Sequence, residues 1–149
     1  MNVGFMGHSV YGYDINPQVE EVLRTKELPY REVGAQELLD KHNILWSNVE
    51  SLVKNSNIIF VPIQTPHMPK YEGVTRLPEE RVDFDYKWLK TGLKSLSDEI
   101  EKQGQDKIVV IISTVLPGTI RREIKPLLSS HVKLCYNPFF IAMGTTIKD

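Results

Sequence analysis

Two glycines and one acid near the start of the chain, Gly4, Gly7 and Asp14 in MNVGFMGHSVYGYDINP, have the types and order needed to grip a phosphorylated nucleoside. Glycines after a first strand let backbone N–H groups and a helix N-terminus face a pyrophosphate. An acid at the end of the next strand receives the ribose hydroxyls. The spacing is too short. Asp14 follows Gly7 by seven positions, whereas the acid belongs about 20 positions on and a full βαβ unit takes roughly 30 residues or more. About 15 to 20 residues, the rest of the glycine turn and one helix, are therefore unaccounted for. Three readings stay open. The segment is absent from the chain, it exists in the protein but not in these 149 residues, or NVGFM and VYGYD form a hairpin that turns at Gly7-His8-Ser9.

Other reactive residue types point nowhere else. The single cysteine, Cys135, lies in the apolar run VKLCY and reads as a buried small hydrophobe. It excludes an internal disulfide framework and fits a reducing compartment. His8, His42, His67 and His131 lack ligand-like spacing, so no metal site is expected.

The elements that must position Asp14 follow from apolar runs. NVGFM, SVYGYD, NILWS, NIIFVPI, KIVVIIS and HVKLCYN are strand-like, and several are almost continuously hydrophobic. Such runs suit parallel strands covered on both faces. Between them Asn16-Pro17 starts a helix with Val19, Val22 and Leu23 as its apolar stripe, and Ser47 or Asn48 caps a short one ending at 55–57. The longest helix is predicted from about Phe84 to Lys102, capped by Asp83, with Trp88, Leu89, Leu93, Leu96 and Ile100 in the core. Pro117 opens a last helix carrying Ile120, Ile124, Leu127 and Leu128, which Pro126 bends or ends. The polar stretch 64–81, QTPHMPKYEGVTRLPEER, reads as a long loop leaving a central strand, either functional or a mobile insertion.

The totals bound the partners. A chain of 149 residues with 41% hydrophobic and 25% charged residues fits one globular domain over 1–149. A net charge of −1 with interspersed signs offers no basic face for nucleic acid or an anionic membrane. The apolar runs IIFVPI and IVVII are far below spanning length, and no basic segment with an apolar h-region opens the chain, so a cytoplasmic protein is expected.

The motifs GFMG, VYGYDINP, ELPYREVGAQELL, IIFVPIQTP, IVVIISTVLPGT and YNPFFIAMGT occur in the order seen in the UDP-glucose/GDP-mannose dehydrogenase family. The chain resembles that family's N-terminal NAD-binding domain over nearly its whole length, STVLPGT with YNPFF being the most diagnostic pair. The resemblance implies an α/β fold: a Rossmann-like, doubly wound, mostly parallel six-stranded sheet, here with the first crossover helix missing. It implies oxidation of the C6 hydroxyl of a nucleotide sugar such as UDP-glucose to a carboxylate, by two hydride transfers to NAD. Gly4, Gly7 and Asp14 would hold the cofactor, Asp14 favouring NAD over NADP. Thr65 and Thr114 match family threonines near the cofactor, and Thr114 also the reaction centre. For each, a hydroxyl satisfying a strand-end backbone group is the plain alternative. Phe140, Ile141 and Gly144 match a substrate-lining loop.

Two departures qualify the resemblance. Where the family has NPEFLREG this chain has NPFFIAMG, so Phe139 and Met143 replace both glutamates. Neither can manage a proton or orient a water. The family's thioester-forming cysteine, with its lysine and aspartate, comes from segments beyond Asp149, as does a central helix and the sugar-nucleotide domain. Cys135, inside a strand, cannot replace that nucleophile, so the isolated chain is expected to be catalytically silent. The alternatives are a non-catalytic nucleotide-binding module and another Rossmann dehydrogenase, such as one acting on a β-hydroxyacid. Apolar surface left open by the truncation predicts a homo-oligomer.

Overall fold

The computed structural model describes residues 7–74, 76–139 and 144. The first expected strand, NVGFM, lies outside them, and with it the choice between hairpin and parallel pair. The chain divides into two compact units, one built on described residues 7–56 with Gly144 and the other on residues 57–139.

The first unit runs β1 (Val10–Gly12), α1 (Pro17–Thr25), α2 (Ala35–Lys41), β2 (Ile44–Trp46) and α3 (Val49–Asn55). Its two strands pair in parallel, with Val10 opposite Ile44 and Gly12 opposite Trp46. A Cβ at position 12 would stand 2.9 Å from Ile44 Cγ2, so only glycine fits there without displacing Ile44. α1 starts where expected: the Asn16 side chain accepts from Gln18 N–H at 3.0 Å and Pro17 takes the first helical position. None of its residues is buried, so the Val19, Val22 and Leu23 stripe is only half-covered. α3 is capped by Asn48, which accepts from Ser51 N–H at 2.8 Å.

α2 has no counterpart among the expected helices. Its start lacks a side-chain cap, because Gly34 enters it at φ 80. Its far end is held by Lys26, whose Nζ donates to the carbonyls of Leu39 (2.9 Å) and His42 (2.8 Å) and to Asn43 Oδ1 (3.0 Å). An ammonium at that end satisfies orphan carbonyls and opposes the helix dipole.

The second unit runs β3 (Ile58–Val61), α4 (Lys87–Gln103), β4 (Lys107–Ile111) and β5 (Val132–Tyr136), a parallel sheet in the order β3-β4-β5. Ile59, Val109 and Leu134 stand in register across it, as do Val61, Ile111 and Tyr136. The buried Ile59, Val61, Val109 and Ile111 form its core together with Leu89, Leu93, Leu96 and Ile100 of α4. The five strands all fall within the expected runs. The loop at 64–81 holds one short 3₁₀ turn, Pro69–Tyr71, and Asp85 N–H donates to the Pro66 carbonyl at 2.8 Å.

Several expectations are corrected here. α4 begins at Lys87, not Phe84. Asp85 accepts from Lys87 N–H, while Asp83 accepts from Phe84 N–H and the Tyr86 hydroxyl in the turn before it. Trp88 is 51% exposed, one position off the buried stripe, with the Lys87 ammonium 5.3 Å from its ring centroid. Cys135 is exposed. It alternates onto the sheet face opposite Leu134, where Ile58 (50%), Phe60 (45%) and Ile108 (44%) also stand exposed. The segment after Pro117 forms a π-helical turn, Ile120–Ile124, and a 3₁₀ turn, Lys125–Leu127, in place of an ordinary helix. Pro126 lacks the N–H to continue it.

Candidate functional site

Of the predicted site residues, Asp14 follows a strand in the first unit, and Thr65 and Thr114 follow strands in the second. In the first, Gly7 lies three residues before β1 at φ +87, with nothing within 4 Å of where a Cβ would stand. His8 and Ser9 then lead straight into β1, with no helix between. Asp14 follows β1 and is exposed. Its Oδ1 accepts from Asn16 N–H at 2.8 Å, a local turn that fixes the carboxylate at the strand end and starts the approach to α1. Gly144 stands elsewhere in this unit. Its N–H donates to Glu32 Oε2 at 2.7 Å and its carbonyl accepts from Val33 N–H at 3.3 Å, against the segment entering α2. Gly4, Phe140 and Ile141 lie outside the described residues.

In the second unit the fold brings Thr65 and Thr114 together although 49 positions separate them: Thr65 Oγ1 donates to the Thr114 carbonyl at 2.7 Å. The parallel register of β3 and β4 is the cause, since both residues lie beyond the carboxyl ends of paired strands. The plain role considered for threonine, satisfying strand-end backbone, is what the Thr65 hydroxyl performs here. Ser113, buried one residue before, donates Oγ to the Val61 carbonyl at 3.2 Å. The chain after Thr114 is held by two tyrosines that the motifs do not single out. Val115 N–H donates to the Tyr136 hydroxyl at 3.3 Å and Leu116 N–H to the Tyr86 hydroxyl at 3.0 Å. Tyr86 in turn donates to Asp83, whose other oxygen takes Arg122 at 3.3 Å. Burial, and then the bond to Asp83, raises the Tyr86 pKa above the ordinary tyrosine value. A phenol next to a helix start or a strand end is the signal that could have found them, because a buried hydroxyl must find a partner.

Such a strand end can take a ligand: open α/β sheets bind in the crevice outside the carboxyl ends of their strands. Among the described residues there is no group of three or more His, Cys, Asp or Glu able to hold a metal. Nor is any helix there long and apolar enough to cross a membrane.

Comparison with known proteins gives one consistent family. The model for the NAD binding domain of the UDP-glucose/GDP-mannose dehydrogenase family matches residues 1–149. UDP-glucose 6-dehydrogenase 4 of Oryza sativa is 30% identical over 145 residues, covering 91% of this chain and 28% of the relative. GDP-mannose 6-dehydrogenase of Pseudomonas aeruginosa is 25% identical, covering 96% and 33%. Its alignment runs over 156 residues, more than the chain contains. A solved ternary complex of GDP-mannose dehydrogenase from Pseudomonas aeruginosa superposes with a TM-score of 0.82 at 24% identity, over 97% of this chain and 33% of that one. That likeness establishes the Rossmann-like α/β fold. The chain thus spans about a third or less of the relatives it matches.

Proposed function

The chain belongs to the UDP-glucose/GDP-mannose dehydrogenase family, as its NAD binding domain, and from that premise we propose that it is the cofactor-holding part of a nucleotide-sugar 6-dehydrogenase. The observation that carries the reading is the Thr65–Thr114 bond, which sets STVLPGT at the carboxyl ends of paired parallel strands. NAD supplies the hydride acceptor for oxidation of a sugar C6 hydroxyl, with a UDP-glucose-like molecule as substrate. Asp14 holds the adenosine ribose; Thr114 contacts the reacting end. Phe140, Ile141 and Gly144 line the substrate side, and Gly4 and Gly7 belong to the phosphate turn.

The fit to the cofactor is divided. An exposed carboxylate fixed at the end of β1 suits a ribose diol. The pyrophosphate has no matching cradle in residues 7–12, because Gly7 leads into β1 within three residues and no helix N-terminus follows it. This favours, as a second reading, a nucleoside-binding module without catalysis, and the replacement of two glutamates by Phe139 and Met143 points the same way. No step of hydride transfer is assigned to this chain alone. The open face bearing Ile58, Phe60 and Ile108 supports self-association, with a second copy as its cover. Light scattering that shows only monomer at high concentration contradicts it.

Calorimetry separates the readings. Binding of NAD that Asp14→Ala weakens by about tenfold or more supports the dehydrogenase part, since a charge-assisted bond to the ribose is lost. Binding of adenosine without any gain from the rest of NAD supports the nucleoside module. Absence of both overturns the site. Turnover of UDP-glucose by this chain alone would show that it is not silent.

A further inference from the structure

Irregular backbone must have its polar groups satisfied, and loops commonly leave that to water. The stretch after β4 does not. Its Thr114 carbonyl, Val115 N–H and Leu116 N–H are each taken by a hydroxyl from a different part of the second unit: Thr65 beyond β3, Tyr136 ending β5 and Tyr86 before α4. Of the three, Tyr86 is itself held. Its ring is buried at 5% exposure, and its hydroxyl hydrogen is committed to Asp83, which leaves an oxygen lone pair for Leu116 N–H. Arg122 fixes Asp83 from the other side, and the fully buried Thr119 accepts from the same guanidinium nitrogen at 3.5 Å.

We propose that Tyr86, oriented by Asp83, is a positioning residue for the Thr114 loop, setting the backbone from Thr114 to Leu116 so that the threonine side chain stands fixed beyond β4. Rotation of that phenol would leave Leu116 N–H without its acceptor and free the chain on the far side of Thr114, two residues away. Thr65 and Tyr136 hold the near side. The ion pair of Asp83 with Arg122 therefore acts at a distance on a residue that neither touches.

The proposal rests on Thr114 lying at the cofactor site only for its functional meaning, and the test separates the two. Amide hydrogen exchange and backbone chemical shifts are followed on the intact chain for wild type and Tyr86→Phe. The expected result is exchange at Leu116 faster by about tenfold or more, as one bond to a partly buried amide is worth, with Thr114 shifts displaced and the Val109 and Ile111 amides of β4 unmoved. Unchanged exchange at Leu116 overturns the proposal, as does a uniform acceleration that includes β4. Should Tyr86→Phe fail to fold, Asp83→Ala keeps the phenol and removes its orientation; faster exchange is then expected at Leu116, and at Phe84, whose N–H loses its own bond to Asp83, with β4 unmoved, and the same two results overturn the role. Titration with NAD then asks a separate question: a wild-type Thr114 amide that ignores NAD removes the cofactor reading, while the exchange result still decides the positioning role.

Discussion

The two units are built from the same kinds of element and differ in how much they bury. The second unit has three paired strands and a 17-residue helix with five buried positions. The first has two strands of three residues each, and its buried apolar side chains among the described residues are Ala35, Leu39 and Val53. Two strands are marginal alone, whereas three with an apolar face packed by a helix are self-sufficient. The contrast shows that a crossover helix contributes core only when its apolar stripe is covered. Where β3 passes through α4 to β4, apolar runs become core; where β1 passes through α1 and α2 to β2, α1 keeps a stripe with no buried residue. In the first unit Lys26 is the clearest case of polar bonds adding to this small core.

Cutting into each core tests this contrast most directly. Leu93→Ala in α4, at 1% exposure, should cost about 2–5 kcal/mol in denaturant unfolding. Val19→Ala on the half-exposed stripe of α1 should cost about 1 kcal/mol or less, and equal losses would mean that the units are equally packed. Next in size, Lys26→Ala removes three hydrogen bonds at the end of α2 and should cost about 1–2 kcal/mol. Lys26 sits at φ 62, so Lys26→Gly relieves the backbone while losing the same bonds. A glycine variant less damaging than the alanine one separates the two effects, and native stability in both would show the bonds to be dispensable. Gly12→Ala, pressing on the stiff β-branched Ile44, should destabilise the β1–β2 pair by about 1 kcal/mol, visible as faster amide exchange at Val10 to Gly12.

The smallest effect is a pH dependence confined to the second unit. Burial and the bond to Asp83 raise the Tyr86 pKa in the folded state. The unfolded chain therefore loses that proton first, and the contribution, complete below the ordinary tyrosine value of about 10, fades as pH rises through the folded value. Thermal melts between neutral and alkaline pH should show wild type losing stability above that point. Tyr86→Phe should show a shallower decline, and identical slopes would remove Tyr86 from the account.

Local signals read well where the cause was local. Asn16-Pro17 and Asn48 start helices because a side-chain oxygen reaches an amide two or three residues on, which spacing alone reveals. Leu89, Leu93, Leu96 and Ile100 share one face of a helix by its 3.6-residue period. Trp88 and Cys135 depart from expectation because apolar identity does not guarantee burial; one lies a single residue off the stripe, and the other lies on a sheet face where Ile58, Phe60 and Ile108 are exposed as well. α2 leaves no local signal because Lys26, nine residues before it, supplies the end that its own sequence lacks.

The candidate site divides in the same way. Asp14 at the close of β1 and the two threonines at strand ends are visible as motifs, because strand ends and turn residues follow from composition and order. The spacing of seven from Gly7 to Asp14 also shows, without coordinates, that the stretch is too short for a full βαβ unit. Only tertiary structure could decide that Thr65 commits its hydroxyl to the Thr114 carbonyl, and that Tyr86 and Tyr136 hold the next two amides. Those partners lie 21 to 49 positions apart, and a hydrogen bond needs its atoms within about 3.5 Å in a set direction. Register between parallel strands brings such atoms into contact; no pattern along the chain encodes it.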